Sequence, residues 1–139
     1  MRAVLFLLTC WCSMLQAQRI DSVHVYAALE PGPYSSASAN ALTWRLHQAH
    51  APHTILKGTE ITTVRKAMEL YTEVPHYSGS LPGLKHVAMV FTHGRPTAMG
   101  VTEDLDRFIN FTARTEYRID SFTGHLQVRA MLLELLMDH

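Results

Sequence analysis

Three histidines recur every third residue, at His47, His50 and His53. On a helix, residues i and i+3 lie near one face, which is how two imidazoles come to share a metal ion. His47 and His50 are therefore the candidate metal ligands of this chain. Pro52 disfavours helical geometry at Ala51 and separates His53 from the series. No acidic residue lies nearby in sequence to orient the rings, so a solvated polar loop explains the same spacing without a ligand. The chain holds nine histidines in all. His76, His86, His93, His125 and His139 are scattered and form no pattern. So many imidazoles admit a pH-responsive role, although nothing in the spacing marks which one switches.

Other chemistries find less support. Serine, histidine and carboxylate residues are present, but a G-x-S-x-G elbow is absent, and Ser78-Gly79-Ser80 sits among turn formers. Glu103, Asp104 and Asp106 cluster without the D-x-[DN]-x-[DN]-G pattern of a calcium loop, as a charged turn between strands does. The glycines are dispersed, so no phosphate-cradling loop exists. Asn110-Phe111-Thr112 matches the glycosylation sequon, which matters only in a host with that machinery. No cofactor is expected, and no catalytic constellation has the required spacing.

The elements that must carry these residues follow from periodicity. Residues 22–29 read as a first strand, with Val23 and Val25 on one face and His24 and Tyr26 on the other. Glu30-Pro31-Gly32-Pro33 stops it. Leu42, Trp44 and Leu46 then alternate with polar residues as in a strand, while Leu42, Leu46 and Ala49 suit a helix over residues 39–49. A run this short leaves both open. Residues 53–57 suggest a short strand. Thr59 is the expected cap of an amphipathic helix over residues 60–72, whose stripe is Ile61, Val64, Ala67, Met68 and Tyr71.

Residues 85–92 are apolar on both faces, which predicts a central strand. His93-Gly94-Arg95-Pro96 turns the chain into a returning strand at residues 97–101. Residues 107–112 and 115–119 extend the meander. Residues 122–137 form a last helix, with Leu126, Ala130, Leu133 and Met137 as one stripe and Val128, Leu132, Leu135 and Leu136 widening it. The order predicts an α+β fold. It is an antiparallel sheet of about four to five strands, meandering at its C-terminal end, with two helices mainly on one face.

Residues 1–17 read as a secretory signal peptide, leaving residues 18–139 as one small domain. Arg2 opens the segment, an apolar run follows from Ala3 to Leu15, and Ala17 offers a cleavage position. That run is too short to span a bilayer, and no later run proposes a span in the mature chain. Leu7-Leu8-Thr9-Cys10 loosely matches a lipobox, so a lipid anchor at Cys10 is the alternative. Both cysteines, Cys10 and Cys12, leave with the signal. The mature domain then lacks disulfides, thiol nucleophiles and thiolate metal sites.

Basic and acidic residues balance at 12 each, without a Lys/Arg run, which argues against nucleic acid as a partner. The expected location is periplasmic or extracellular. The expected role is a non-catalytic module that binds another exported or envelope protein. A small metal- or ligand-binding protein using His47 and His50 comes second, and a hydrolytic enzyme last. Composition does not determine the oligomeric state. Trp44, Tyr34, Tyr77 and Phe122 fall in or beside loops, where they serve either the core or a protein-binding face.

Overall fold

The computed structural model describes residues 19–75, 77 and 79–137; the expected signal peptide, Cys10, Cys12, His76, Ser78 and His139 lie outside them. Strand β1 (Ile20–Tyr26) opens the described chain, and helix α1 (Ser36–Gln48) follows the Pro-Gly-Pro break. The segment that alternates like a strand is thus helical. The reason is local: Ser35 accepts a hydrogen bond from the Ser38 amide at 3.1 Å, and Ser38 Oγ accepts one from the Ser35 amide at 3.0 Å. This reciprocal capping satisfies donors that a helix start leaves open. Inside α1, the buried Thr43 hydroxyl donates to the Ala39 carbonyl at 2.7 Å, so its burial leaves no unmet donor.

Strand β2 (His53–Leu56) leads into helix α2 (Thr59–Met68), which is shorter than its stripe implied. The expected cap at Thr59 is not formed: Gly58 holds that position with φ 64°, and no side chain caps the helix. A conformation open mainly to glycine replaces a hydrogen bond as the start signal. Strand β3 (Thr72–Glu73) is followed by β4 (Leu84–Thr92) and β5 (Arg95–Thr102). The connection between these last two is a two-residue turn, His93-Gly94, with φ 50° and 75°. Paired positive φ values match the twist of a hairpin. Pro96 therefore lies inside β5, opposite Phe91. The Ala98 backbone bonds toward the β6 side, and Pro96 has the same parity beyond the end of that strand, so its missing N–H leaves no ladder position empty.

Strands β6 (Arg107–Asn110) and β7 (Thr115–Arg118) and helix α3 (Phe122–Met137) complete the chain. All seven strands join one antiparallel sheet in the order β2-β1-β4-β5-β6-β7-β3, more than the four to five expected. The excess lies in short strands, since β3 has two residues and offers no period to read. Its pairing of Thr72 with Arg118 and Glu73 with Tyr117 depends on where α2 delivers the chain.

Helices cover both faces, which corrects the expected one-sided arrangement. On one face, α1 packs Ala39, Trp44 and Leu46 against Tyr26, Val87, Met89, Ala98 and Ile109. On the other, α2 and α3 bring Ile61, Val64 and Leu136 to Val23, Val25, Leu56 and Val90. The two helices expected to share a face do share one. Helix α1 makes the third layer because Val87, Met89 and Ala98 are apolar positions that need cover. Helix α3 also turns differently from its expected stripe. Val128 is fully buried, whereas Leu126 is 51 % exposed and Ala130 faces solvent. A helix apolar on most sides does not choose its inner face by periodicity; packing chooses it.

Candidate functional site

Two places in the fold gather side chains with chemical potential, and they lie on opposite faces of the sheet. The first is on the α1 face, where β1, β2, β4 and α1 meet. His24 stacks on His53, with ring centroids 4.6 Å apart and planes 9° from parallel. The register makes this contact: His24 pairs with Ile55 and Tyr26 with His53, so the two imidazoles are diagonal neighbours on one face. Phe91 of β4 lies 4.6 Å from His24 and 5.7 Å from His47. Trp44 meets His47 edge-on at 6.1 Å, and Tyr26 meets His53 at 5.6 Å. Histidines from three elements thus share one aromatic cluster.

Protonation within the cluster is constrained. His53 Nδ1 lies 2.7 Å from the Ala51 carbonyl. A carbonyl only accepts, so Nδ1 carries the proton and Nε2 is free to accept one. Burial lowers the pKa of His24, and the nearby His53 and His47 lower it further. Neutral imidazole is the form this setting favours.

The expected ligand pair fares differently in its two members. His47 is half-buried between Trp44 and Phe91. His50 is exposed just beyond α1, at φ 50°. There it closes the helix: its amide donates to the His47 carbonyl at 3.2 Å, and the Ala51 amide donates to the Leu46 carbonyl at 3.0 Å. This is the Schellman arrangement, in which a left-handed residue ends the helix. Among the described residues no group of three or more His, Cys, Asp or Glu is placed to hold a metal ion. The spacing of three that drew attention to His50 places it in the helix stop, while His24 joins His47 and His53. Nothing in the spacing pointed to His24; only its place on the Tyr26 side of the first strand hinted at it.

The second place is a cavity of about 100 Å³ between the sheet and helices α2 and α3. Val23, Val25, Ala88, Val90 and Met99 form its floor, and Val64, Leu132 and Leu136 form its roof. Its accessible wall is apolar throughout. Among the described residues His86 is the one imidazole in its lining, and the buried Nδ1 of that ring has no hydrogen-bond partner among them. Burial, followed by the neighbouring Lys85, lowers the pKa of His86. An imidazole in carbon surroundings is held neutral for the same reason as His24.

A buried ion pair on the α1 face completes the inventory. Glu116 is 1 % exposed, and its Oε1 receives both Nε and Nη2 of Arg107. Arg118 Nη2 approaches the same oxygen at 3.5 Å, and Arg107 also donates to the Ser80 carbonyl at 3.3 Å. Sequence patterning missed this pair, because residues nine apart on different strands meet only through the β6–β7 register. The acidic turn has a structural task. Asp106 accepts from the Thr102 hydroxyl at 2.8 Å, and His125 Nε2 lies 2.6 Å from the Asp104 carbonyl.

Of the four aromatics beside loops, Tyr34, Trp44 and Tyr77 pack against the core, whereas Phe122 is 78 % exposed. No helix among the described residues is long and apolar enough to cross a membrane. No protein-family model matches this chain, and comparison with curated proteins and with solved structures finds no significant match.

Proposed function

We propose that this chain is a non-catalytic binding domain of an exported protein, and that it takes a small apolar molecule between its sheet and helices α2 and α3. The observation that supports this is the cavity of about 100 Å³ with its apolar wall. A recess whose wall is apolar favours a small apolar guest over water. The volume is smaller than the roughly 150 Å³ of an apolar cavity that takes benzene, so the guest is a fragment of a few carbons. The signal-like residues 1–17 support export.

Short alkanes and xenon are suitable probes. Titration should move the methyl resonances of Val23, Val90 and Leu136 and raise the melting temperature. Saturating probe at about 100 times its Kd adds about 2.7 kcal/mol of stability. The variant Ala88→Leu, which grows a side chain into the space, should abolish both effects. Methyl shifts that are absent, or that persist unchanged in Ala88→Leu, would overturn the assignment.

A further inference from the structure

We propose that His24, His47 and His53 form a proton-operated latch that holds the edge strand β2 against β1 and the end of α1 over Phe91 of β4 at neutral pH and loosens them in mild acid. The geometry carries this inference independently of the apolar cavity. Strand β1, helix α1 and strand β2 each contribute one imidazole, His24 meeting His53 directly and His47 by way of Phe91. The parallel stack of His24 on His53 at 4.6 Å is compatible with neutral rings. Charged rings at that separation repel; water at the exposed His53 screens part of this repulsion, while His24 and His47 are half-buried against the aromatic carbon of Phe91 and Trp44.

The groups facing His24 from every side leave added charge uncompensated. His53 faces it from β2, His47 from α1 and the uncharged Phe91 from β4. On its own strand, Ser22 Oγ lies 3.5 Å from Nε2. Arg45 in the last turn of α1 adds positive charge, and the Asp21 carboxylate is engaged by the Gly94 amide at 3.0 Å. Among the described residues, neither ion pair includes any of the three rings. Among the described residues strand β2 has one neighbour, β1, so the latch closes an edge of the sheet and not its centre. An edge strand and a helix end open locally at lower free energy than central strands.

The sign of the response follows from the direction of the His24 shift. Burial and its two neighbours lower its pKa in the fold, so the unfolded or opened chain binds the proton more readily. Closure is favoured above the ordinary histidine range near about 6.5 and is lost as pH falls below it.

Amide hydrogen exchange on the full chain, read residue by residue from about pH 7.5 to about pH 5, tests the latch. After correction for intrinsic rates, protection at residues 53–56 and 46–49 should fall by about tenfold or more, while β5 and β6 hold theirs. Ring resonances of His24 should titrate below those of an exposed histidine. The double variant His24→Phe and His53→Phe keeps a ring stack without the protons and should remove the local response. Unchanged protection at residues 53–56, loss spread evenly over the sheet, or a response retained in the double variant would each overturn the proposal. The wild-type exchange map decides the question even if the double variant does not fold.

Discussion

The two faces of the sheet are both buried, yet they solve burial differently. The α1 face carries polar devices at its margins, with stacked imidazoles at the β2 end and the Arg107–Glu116 pair at the β7 end. The α2–α3 face is closed almost wholly by carbon and leaves a cavity where its layers do not interlock. Directional contacts hold the first face, because each charge or imidazole needs a partner at a set position. The second depends on area and volume, which tolerate imperfect fit. Local failure of the first is therefore abrupt, whereas the second can adapt to an occupant.

Substitutions can separate these behaviours, and the largest effect is expected at Glu116. Its replacement by alanine leaves the largely buried Arg107 without its carboxylate, with only the Ser80 carbonyl among the described residues to accept from it, at a cost of up to about 3 kcal/mol. Urea denaturation measures this, and a loss under about 1 kcal/mol would show that Arg107 finds water instead. Ala88→Val probes the other face by filling part of the cavity and should add about 0.5–2 kcal/mol. Destabilisation there would mean that the space is already filled by side-chain motion, and the contrast between the faces would shrink.

Acid should act on both faces at once. His24 and His86 have lowered pKa values in the fold, on opposite sides of the sheet. Global stability should therefore be full above the unfolded histidine range near about 6.5 and fall as pH drops toward about 5. His86→Leu should remove part of that slope in melts across the range while leaving the local exchange response at β2 intact. A slope that stays whole would place all acid sensitivity on the α1 face. The smallest effect is expected at the helix stop. His50→Gly relieves a side chain held at φ 50° and should add about 1 kcal/mol, with no change in the titration of His24.

Long patterned elements were legible in the chain itself. The bounds of α3 agree with expectation, and β4 differs by one residue, because elements of 16 and nine residues rich in apolar positions leave few alternatives. The separation of Val23 and Val25 from His24 and Tyr26 was equally clear. The start of α2 was not, since a glycine at φ 64° replaced the expected threonine cap. Helix α1 was ambiguous because Leu42, Trp44 and Leu46 satisfy period two and their helical neighbours satisfy the longer period. The capping pair Ser35 and Ser38 resolved it.

The candidate sites were much less legible, and the reason is distance along the chain. His47 was singled out, but for its spacing to His50, a neighbour that turned out to end the helix. Its aromatic partner Phe91 and the stacked pair His24 and His53 meet only once β1 lies between β2 and β4. Alternation and local stereochemistry are short-range, so they determined which residues form strands, which form helices and which side chains share a face. Register, the face each helix covers and the space left between layers depend on contacts between distant segments. For that reason the histidine cluster, the buried Arg107–Glu116 pair and the apolar cavity were decided only in three dimensions.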